Sequence, residues 1–285
     1  MIKTIIILLS FFNAVFVFAQ STKSKQTEST KPFVLGVIEE IQSKELKEKR
    51  ILNVYLPEGY DPKDTVKYPV IYLLDGSADE DFIHIVGLVQ FNSFEWVDQV
   101  PKSIVVGIAN VDRRRDFTFP STVEYDKRNN PSSGHSDKFI AFIEKELQPF
   151  IQAKYKTNGT KTIIGQSLGG LLATEILLTK TSLFTHYIIV SPSLWWDSGS
   201  LLNKLPTSLE NVKVFIGVGK EGLTPSKPAR VMEEDVRLLY DMLVKIKSNK
   251  VMLDFDYFPQ ENHATILHQA VFNAFKSLWQ KEEKD

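Results

Sequence analysis

From Tyr68 onward the chain alternates short apolar runs rich in β-branched residues with longer helix-like stretches, and that alternation leaves few folds open. The runs are "YPVIYLLDGS", "SIVVGIAN", "KTIIG", "HYIIVSP", "VKVFIGVG" and "KVMLDFDYF". Apolarity on every position, with no polar alternation, marks strands covered on both faces. Between them lie helical patterns at Asp79 to Val97, Ser136 to Ala153, Leu168 to Thr179, Ala229 to Lys247 and Ala264 to Gln280. Strand and helix in strict turn predict an α/β fold, a mostly parallel sheet with helices on both faces. Ahead of it, "FVLGVIEEIQS" and "KRILNVYLP" read as two consecutive strands, expected as an antiparallel N-terminal edge. Sheets of this kind bind ligands beyond the carboxyl ends of their strands, so the informative residues are those that follow each apolar run.

The first 19 residues read as an export signal. Lys3 supplies the positive start, Ile5 to Phe18 the apolar run, and Val17 and Ala19 the small residues before a cut at Gln20. Ser10 and Asn13 interrupt the run, and it is shorter than the roughly 20 apolar residues that span a bilayer. A periplasmic or secreted protein is therefore expected, with no stable membrane insertion once the signal is removed. "QSTKSKQTESTK", residues 20–31, is too polar to bury surface and reads as a flexible lead-in. Residues 32–285 then suit a single α/β domain. With a formal net charge of -1 and no basic block, a nucleic-acid partner is not expected. The chain has no cysteine, which excludes disulfides, thiolate metal sites and a cysteine nucleophile.

One strand end carries a catalytic pattern. Gly165-Gln166-Ser167-Leu168-Gly169 matches G-x-S-x-G, with "TII" before it and a helical stretch after it. In that turn the serine takes a strained backbone conformation, and glycines on both sides relieve the crowding. The N–H of Leu168, at the start of the helix, points to where an oxyanion develops. A serine hydroxyl needs a base. Chain order in this architecture runs nucleophile, acid, histidine, which sets aside His84 and His135 and leaves His186, His263 and His268. His186 opens a strand and His268 lies within the last helix. His263, in "FDYFPQENHATIL", falls on a loop after the last strand and is the expected base. For the acid, Glu221 follows "VKVFIGVG" in a glycine-bracketed loop and is preferred, with Asp197, Asp256 or a dyad without an acid as alternatives. Gly76 and Ser77, after the early strand, are the expected sources of the second oxyanion donor.

Taken together, "YLLDG", "DRRRDFTFP", "GQSLGG", "SPSLWW", "VGKEG" and "ENHATI" resemble the putative-esterase branch of the α/β-hydrolases. That branch includes siderophore esterases for enterobactin-like trilactones, the esterase D type, carbohydrate feruloyl esterases and mycolyltransferases. The resemblance covers nearly the whole chain after the lead-in and is nearest to the siderophore esterases, whose Arg-rich loop is similar to "VDRRRDFTFP". It implies a serine carboxylic-ester hydrolase with Ser167 as nucleophile, His263 as base, no cofactor or metal, and a small-molecule ester as partner. A feruloyl or acetyl esterase acting on carbohydrate, an acyltransferase and a non-catalytic binding protein on the same scaffold are the rival readings. Arg113, Arg114 and Arg115 are candidates to grip carboxylate or catecholate oxygens with guanidinium forks, or else form a solvated loop in which Arg115 pairs with Asp116. Trp195 and Trp196 either wall the acyl pocket or cap the core.

Overall fold

The computed structural model describes residues 30–204, 206 and 209–279; the expected export signal and residues 20–29 of the lead-in lie outside them. Residues from Leu35 onward group into one unit. Its eight strands are β1 (Val37–Gln42), β2 (Lys49–Tyr55), β3 (Tyr68–Leu73), β4 (Ile104–Ile108), β5 (Thr157–Gln166), β6 (His186–Val190), β7 (Lys213–Gly219) and β8 (Met252–Phe258). They form one sheet in the order β1-β2-β4-β3-β5-β6-β7-β8. β1 and β2 run antiparallel to their neighbours and every other pairing is parallel. The antiparallel N-terminal edge and the parallel body both match the reading of the runs.

The helices are α1 (Phe82–Asn92), α2 (Arg113–Phe117), α3 (Glu124–Asn129), α4 (Ser136–Phe142), α5 (Gln148–Lys154), α6 (Leu168–Thr179), α7 (Met232–Ile246) and α8 (Ile266–Leu278). α1 and α8 bury Phe82, Ile85, Val86, Val271 and Phe275 on one face of the sheet. α4 to α7 bury Phe139, Leu147, Leu172, Ile176 and Leu239 on the other. Strands sandwiched this way have no polar face, and β3, β4 and β6 are buried along their whole length. The expected helix over 136–153 is continuous but passes through a π turn at Ile143–Leu147. Pro149, in the first turn of α5, has no N–H to donate one turn back, and the wider turn accommodates that missing bond. No helix among the described residues is long and apolar enough to cross a membrane.

α2 and α3 fall in "DRRRDFTFP" and the residues after it, where the hydrophobic pattern indicates no helix. A five-residue helix has no apolar period to read; what holds α2 is the Asp112 side chain, which accepts a hydrogen bond from Arg115 N at 3.0 Å. Tertiary charge pairing anchors it further. The fully buried Arg50 guanidinium of β2 reaches Asp116 at 2.7 Å and Glu48 at 2.8 Å, and lies 5.1 Å from the Phe139 ring centroid. Without Asp116 the buried Arg50 guanidinium keeps Glu48 and the Ala109 carbonyl but loses one charged partner. Asp116→Ala is therefore expected to destabilise the fold by about 1.5–3 kcal/mol, measured by chemical denaturation, with Asp116→Asn losing less.

Candidate active site

The chain leaves β5 at Gln166 and enters α6 at Leu168, so Ser167 makes the whole reversal of direction with φ 59 and ψ -119. Few side chains tolerate that region. Here the flanking residues permit it: a Cβ on Gly165 would lie 2.3 Å from the Gly169 carbonyl oxygen, and one on Gly170 would lie 2.9 Å from Val190 O. The two edges of the elbow touch backbone to backbone. Leu168, in the first turn of α6, has no intrahelical acceptor for its N–H, which leaves that group free to meet a developing anion.

His263 stands on the loop between β8 and α8, and its Nδ1 lies 2.7 Å from Glu221 Oε2. Glu221 follows β7; its side chain is 2 % exposed, against 45 % for His263. The other Glu221 oxygen accepts a short hydrogen bond from Ser191 Oγ, so both carboxylate oxygens are engaged. The loop is fixed from behind by Glu233 of α7, whose carboxylate accepts from Glu221 N at 2.8 Å and from Gly222 N at 3.0 and 3.1 Å. Gln166 Nε2 donates to the His263 carbonyl and ties the histidine loop to the elbow. Ser167 and His263 line one cavity of about 380 Å³ with Asp75, Glu80, Asp81 and Gln166. Ser167 Oγ is 3.3 Å from Ser193 Oγ and makes no hydrogen bond to the imidazole.

The rival residues lie elsewhere. Asp197 is buried against Thr122 N at 2.6 Å and Ser121 Oγ at 3.1 Å, and Asp256 accepts from Asn273 Nδ2 at 2.8 Å. His186 stacks on Trp279 with centroids 4.7 Å apart, and burial, aided by Lys213, lowers its pKa to about 4. His268 packs edge-on against His84.

Several expected site residues have other duties. Gly76 does not offer its N–H, which is taken by Ile108 O at 3.1 Å; its Cα hydrogens occupy space against Gly107, where a Cβ would lie 2.4 Å from the Gly107 Cα. Ser77 N–H has only a 3.4 Å contact with Glu80 Oε2. Arg113 holds Asp75 with two bonds of 2.6 and 2.8 Å and donates to Gln166 O at 3.2 Å, so its fork is occupied. Arg115 is likewise occupied, by Asp116 at 2.8 Å and Glu48 at 2.6 and 3.0 Å. Trp196 is 1 % exposed and donates from Nε1 to Phe119 O, a core residue rather than a pocket wall. Arg114 is exposed and, with Trp195, Tyr125, Asn129 and Asn130, lines a second cavity of about 650 Å³ that also contains Ser167 and Leu168. Among the described residues no group of three His, Asp or Glu side chains is arranged to hold a metal. Sequence reading missed Ser191, Ser193 and Glu233. "SPS" directly follows the β6 run, a strand-end position that could have flagged both serines.

A parallel sheet with two antiparallel edge strands, a serine elbow after β5, an acid after β7 and a histidine after β8 define an α/β-hydrolase fold. The chain belongs to the family described as Putative esterase, whose model matches residues 43–240. It is 30 % identical over 247 residues to ferri-bacillibactin esterase BesA of Bacillus subtilis (strain 168), covering 80 % of this chain and 85 % of that protein. A siderophore triacetylfusarinine C esterase of Aspergillus fumigatus is 37 % identical over 83 residues, 28 % of each chain. Among solved structures, an IroE-like serine hydrolase from Shewanella oneidensis superposes with a TM-score of 0.75 at 33 % identity, over 86 % of this chain and 80 % of that one. The protein is an esterase.

Glu233 holds two peptide N–H groups of the loop that carries Glu221, so removing its carboxylate frees that loop. Glu233→Ala is expected to lower kcat on a neutral aryl ester by about tenfold with little change in KM, and Glu233→Gln, which keeps one acceptor oxygen, to recover most of it.

Proposed function

We propose that the protein hydrolyses siderophore-type carboxylic esters through an acyl-enzyme on Ser167. The observation that carries this reading is the 2.7 Å contact between His263 Nδ1 and the buried Glu221 carboxylate, beside a cavity that also contains the strained Ser167. Ser167 Oγ attacks the ester carbonyl carbon as its proton passes to His263 Nε2. Glu221 fixes the ring through Nδ1–H and stabilises the imidazolium. The oxyanion is met by the N–H of Leu168, with the loosely held N–H of Ser77 as the second donor. Collapse of the tetrahedral adduct breaks the bond to the leaving oxygen, which takes its proton from His263. Water then repeats the sequence, its proton going to His263 and its hydroxyl to the acyl carbon; the acyl–Oγ bond breaks as His263 returns the proton to Ser167 Oγ, and the free acid leaves. Nε2 and Oγ share a cavity without a hydrogen bond between them, and such bonds often form only when substrate arrives.

The substrate class rests on two supports. Relatives bear the names of siderophore esterases, and the larger cavity combines aromatic walls, Trp195 and Tyr125, with the unpaired guanidinium of Arg114 and the amides of Asn129 and Asn130. Flat π surfaces and a fork donor suit an aromatic acyl group bearing anionic or hydroxyl oxygens. The polar N-terminus with its expected export signal favours action in the periplasm or outside the cell.

Ser167→Ala and His263→Ala are each expected to lower turnover of a simple aryl ester by about 10³-fold or more, and Glu221→Ala by about 10²-fold. An organophosphonate should label Ser167 and no other residue. Near-parental rates for His263→Ala would remove it as base. For substrate class, kcat/KM on a catecholate trilactone is expected to exceed that on a feruloyl sugar, an acetylated sugar and short aryl esters by about tenfold or more. A feruloyl sugar at the head of that series would overturn the siderophore assignment and leave the esterase chemistry standing.

A further inference from the structure

The cleft around Ser167 has two lobes of opposite character. Only the smaller one contains His263, and only the larger one contains Leu168. If Ser167 and His263 act as proposed above, this division assigns the two halves of the ester. The histidine must hand its proton to the departing oxygen, so the alcohol leaves through the His263 lobe. The acyl group, its carbonyl oxygen at Leu168 N–H, occupies the lobe of Trp195 and Arg114.

The alcohol's lobe is acidic in a way the local pairing does not cancel. Asp75 is neutralised by the two-bond grip of Arg113. Glu80 is met by neutral groups, the Asn110 amide at 3.1 Å and the Ser77 N–H at 3.4 Å. Asp81 has no hydrogen bond and no ion pair from its carboxylate to any described residue. It also forgoes the use to which an aspartate at this place is ordinarily put. It precedes the first turn of α1, where a side-chain oxygen would accept from a free backbone N–H, yet its φ of -86 and ψ of -7 preclude that and its side chain caps nothing. The carboxyl instead lines the cavity beside the candidate nucleophile and base. Its backbone is fixed, N to Asp75 O at 3.2 Å and O to Ile85 N at 3.0 Å, which anchors the residue at the cavity wall.

We infer that Asp81 selects the leaving alcohol: the His263 lobe favours an alcohol carrying an ammonium group, accepts a neutral one, and disfavours one carrying a carboxylate. A half-buried carboxylate beside low-dielectric walls attracts a cation far more than one in water does. Burial first, and then repulsion from Asp75 and Glu80, raises the Asp81 pKa to about 6, against the opposing pull of His84 and Arg113. The groups facing it are thus Asp75 and Glu80 on the preceding loop, Arg113 on α2, His84 on α1 with His268 of α8 edge-on to that ring, and His263 across the cavity. Above about pH 6 Asp81 is charged and the selection operates; as the pH falls through about 6 it takes a proton and the selection fades.

The test compares kcat/KM at about pH 8 and low salt for three benzoate esters: benzoylcholine, its uncharged isostere 3,3-dimethylbutyl benzoate, and the carboxylate-bearing 3-benzoyloxypropanoate. The choline ester is expected to exceed the isostere, and the isostere the carboxylate, by about tenfold each. Asp81→Asn should shrink both ratios to about threefold or less, while Asp81→Glu, which keeps the charge, preserves the order. Ratios are read rather than rates because the shared benzoyl-transfer chemistry is common to all three esters and cancels. Parental ratios near one, or an Asp81→Asn enzyme that keeps the parental order, would overturn the inference. Hydrolysis of 4-nitrophenyl acetate and phosphonate labelling of Ser167 are followed on the same preparations. If both are present and the ratios are flat, the selection alone is wrong; if both are absent, the active-site reading falls and takes the selection with it.

Discussion

A backbone contact between two glycines makes the rest of this site feasible. Gly165, next to the end of β5, lies against the carbonyl of Gly169 with no room for a methyl group, and that closeness lets the chain reverse within one residue. Ser167 is held at positive φ by this geometry rather than by its own side chain, whose hydroxyl meets Ser193 Oγ at a long 3.3 Å. The strain is stored where a nucleophile is wanted and supported by the surrounding packing: Leu171, Leu172 and Ile176 of α6 are wholly buried. The hydroxyl is thereby presented at the mouth of the sheet while its backbone stays locked.

Around this elbow the charged residues divide into struts and free groups. Arg113, Arg115 and Arg50 join carboxylates 38, 67 and 66 positions away in the chain, each fixing a loop near the strand ends. Each such pair removes an arginine from ligand binding and also neutralises an acid that would otherwise repel a substrate anion. What remains without an ion pair among the described residues, Arg114 on one side and Glu80 and Asp81 on the other, gives the cleft its polarity. In this Arg-rich loop the neighbours of Arg114 are scaffolding, and the exposed one in the middle is left to meet solvent or ligand.

The features visible in the sequence were those with local causes. Buried strands announce themselves by continuous apolarity, the elbow by two glycines around a serine, and the positions of Glu221 and His263 by their place just after strand ends. The misread residues depend on partners that no local pattern reveals. Nothing near Gly76 says that its N–H belongs to Ile108, and nothing near Trp196 says that its indole reaches Phe119. Arg115 and Asp116 do pair as the blander reading of the loop allowed, but the buried Arg50 that completes the network lies in β2. The short helices α2 and α3 escaped because a single turn or two has no hydrophobic period, and side-chain caps and ion pairs decide it instead.

The proposed acid and base follow the last two strands, and β8 is an edge strand that pairs, among the described residues, with β7 alone. Seven residue pairs from Lys213↔Met252 to Gly219↔Phe258 set its register, and Lys220 N continues it by donating to Glu261 O at 2.8 Å. Sliding β8 by one residue would carry the histidine loop about 3.3 Å along the strand, more than the whole 2.7 Å separation of Nδ1 from the carboxylate. The contact that orients the imidazole is thus written into the ladder at the rim of the sheet, and the proposed chemistry waits on the last strand to dock in step.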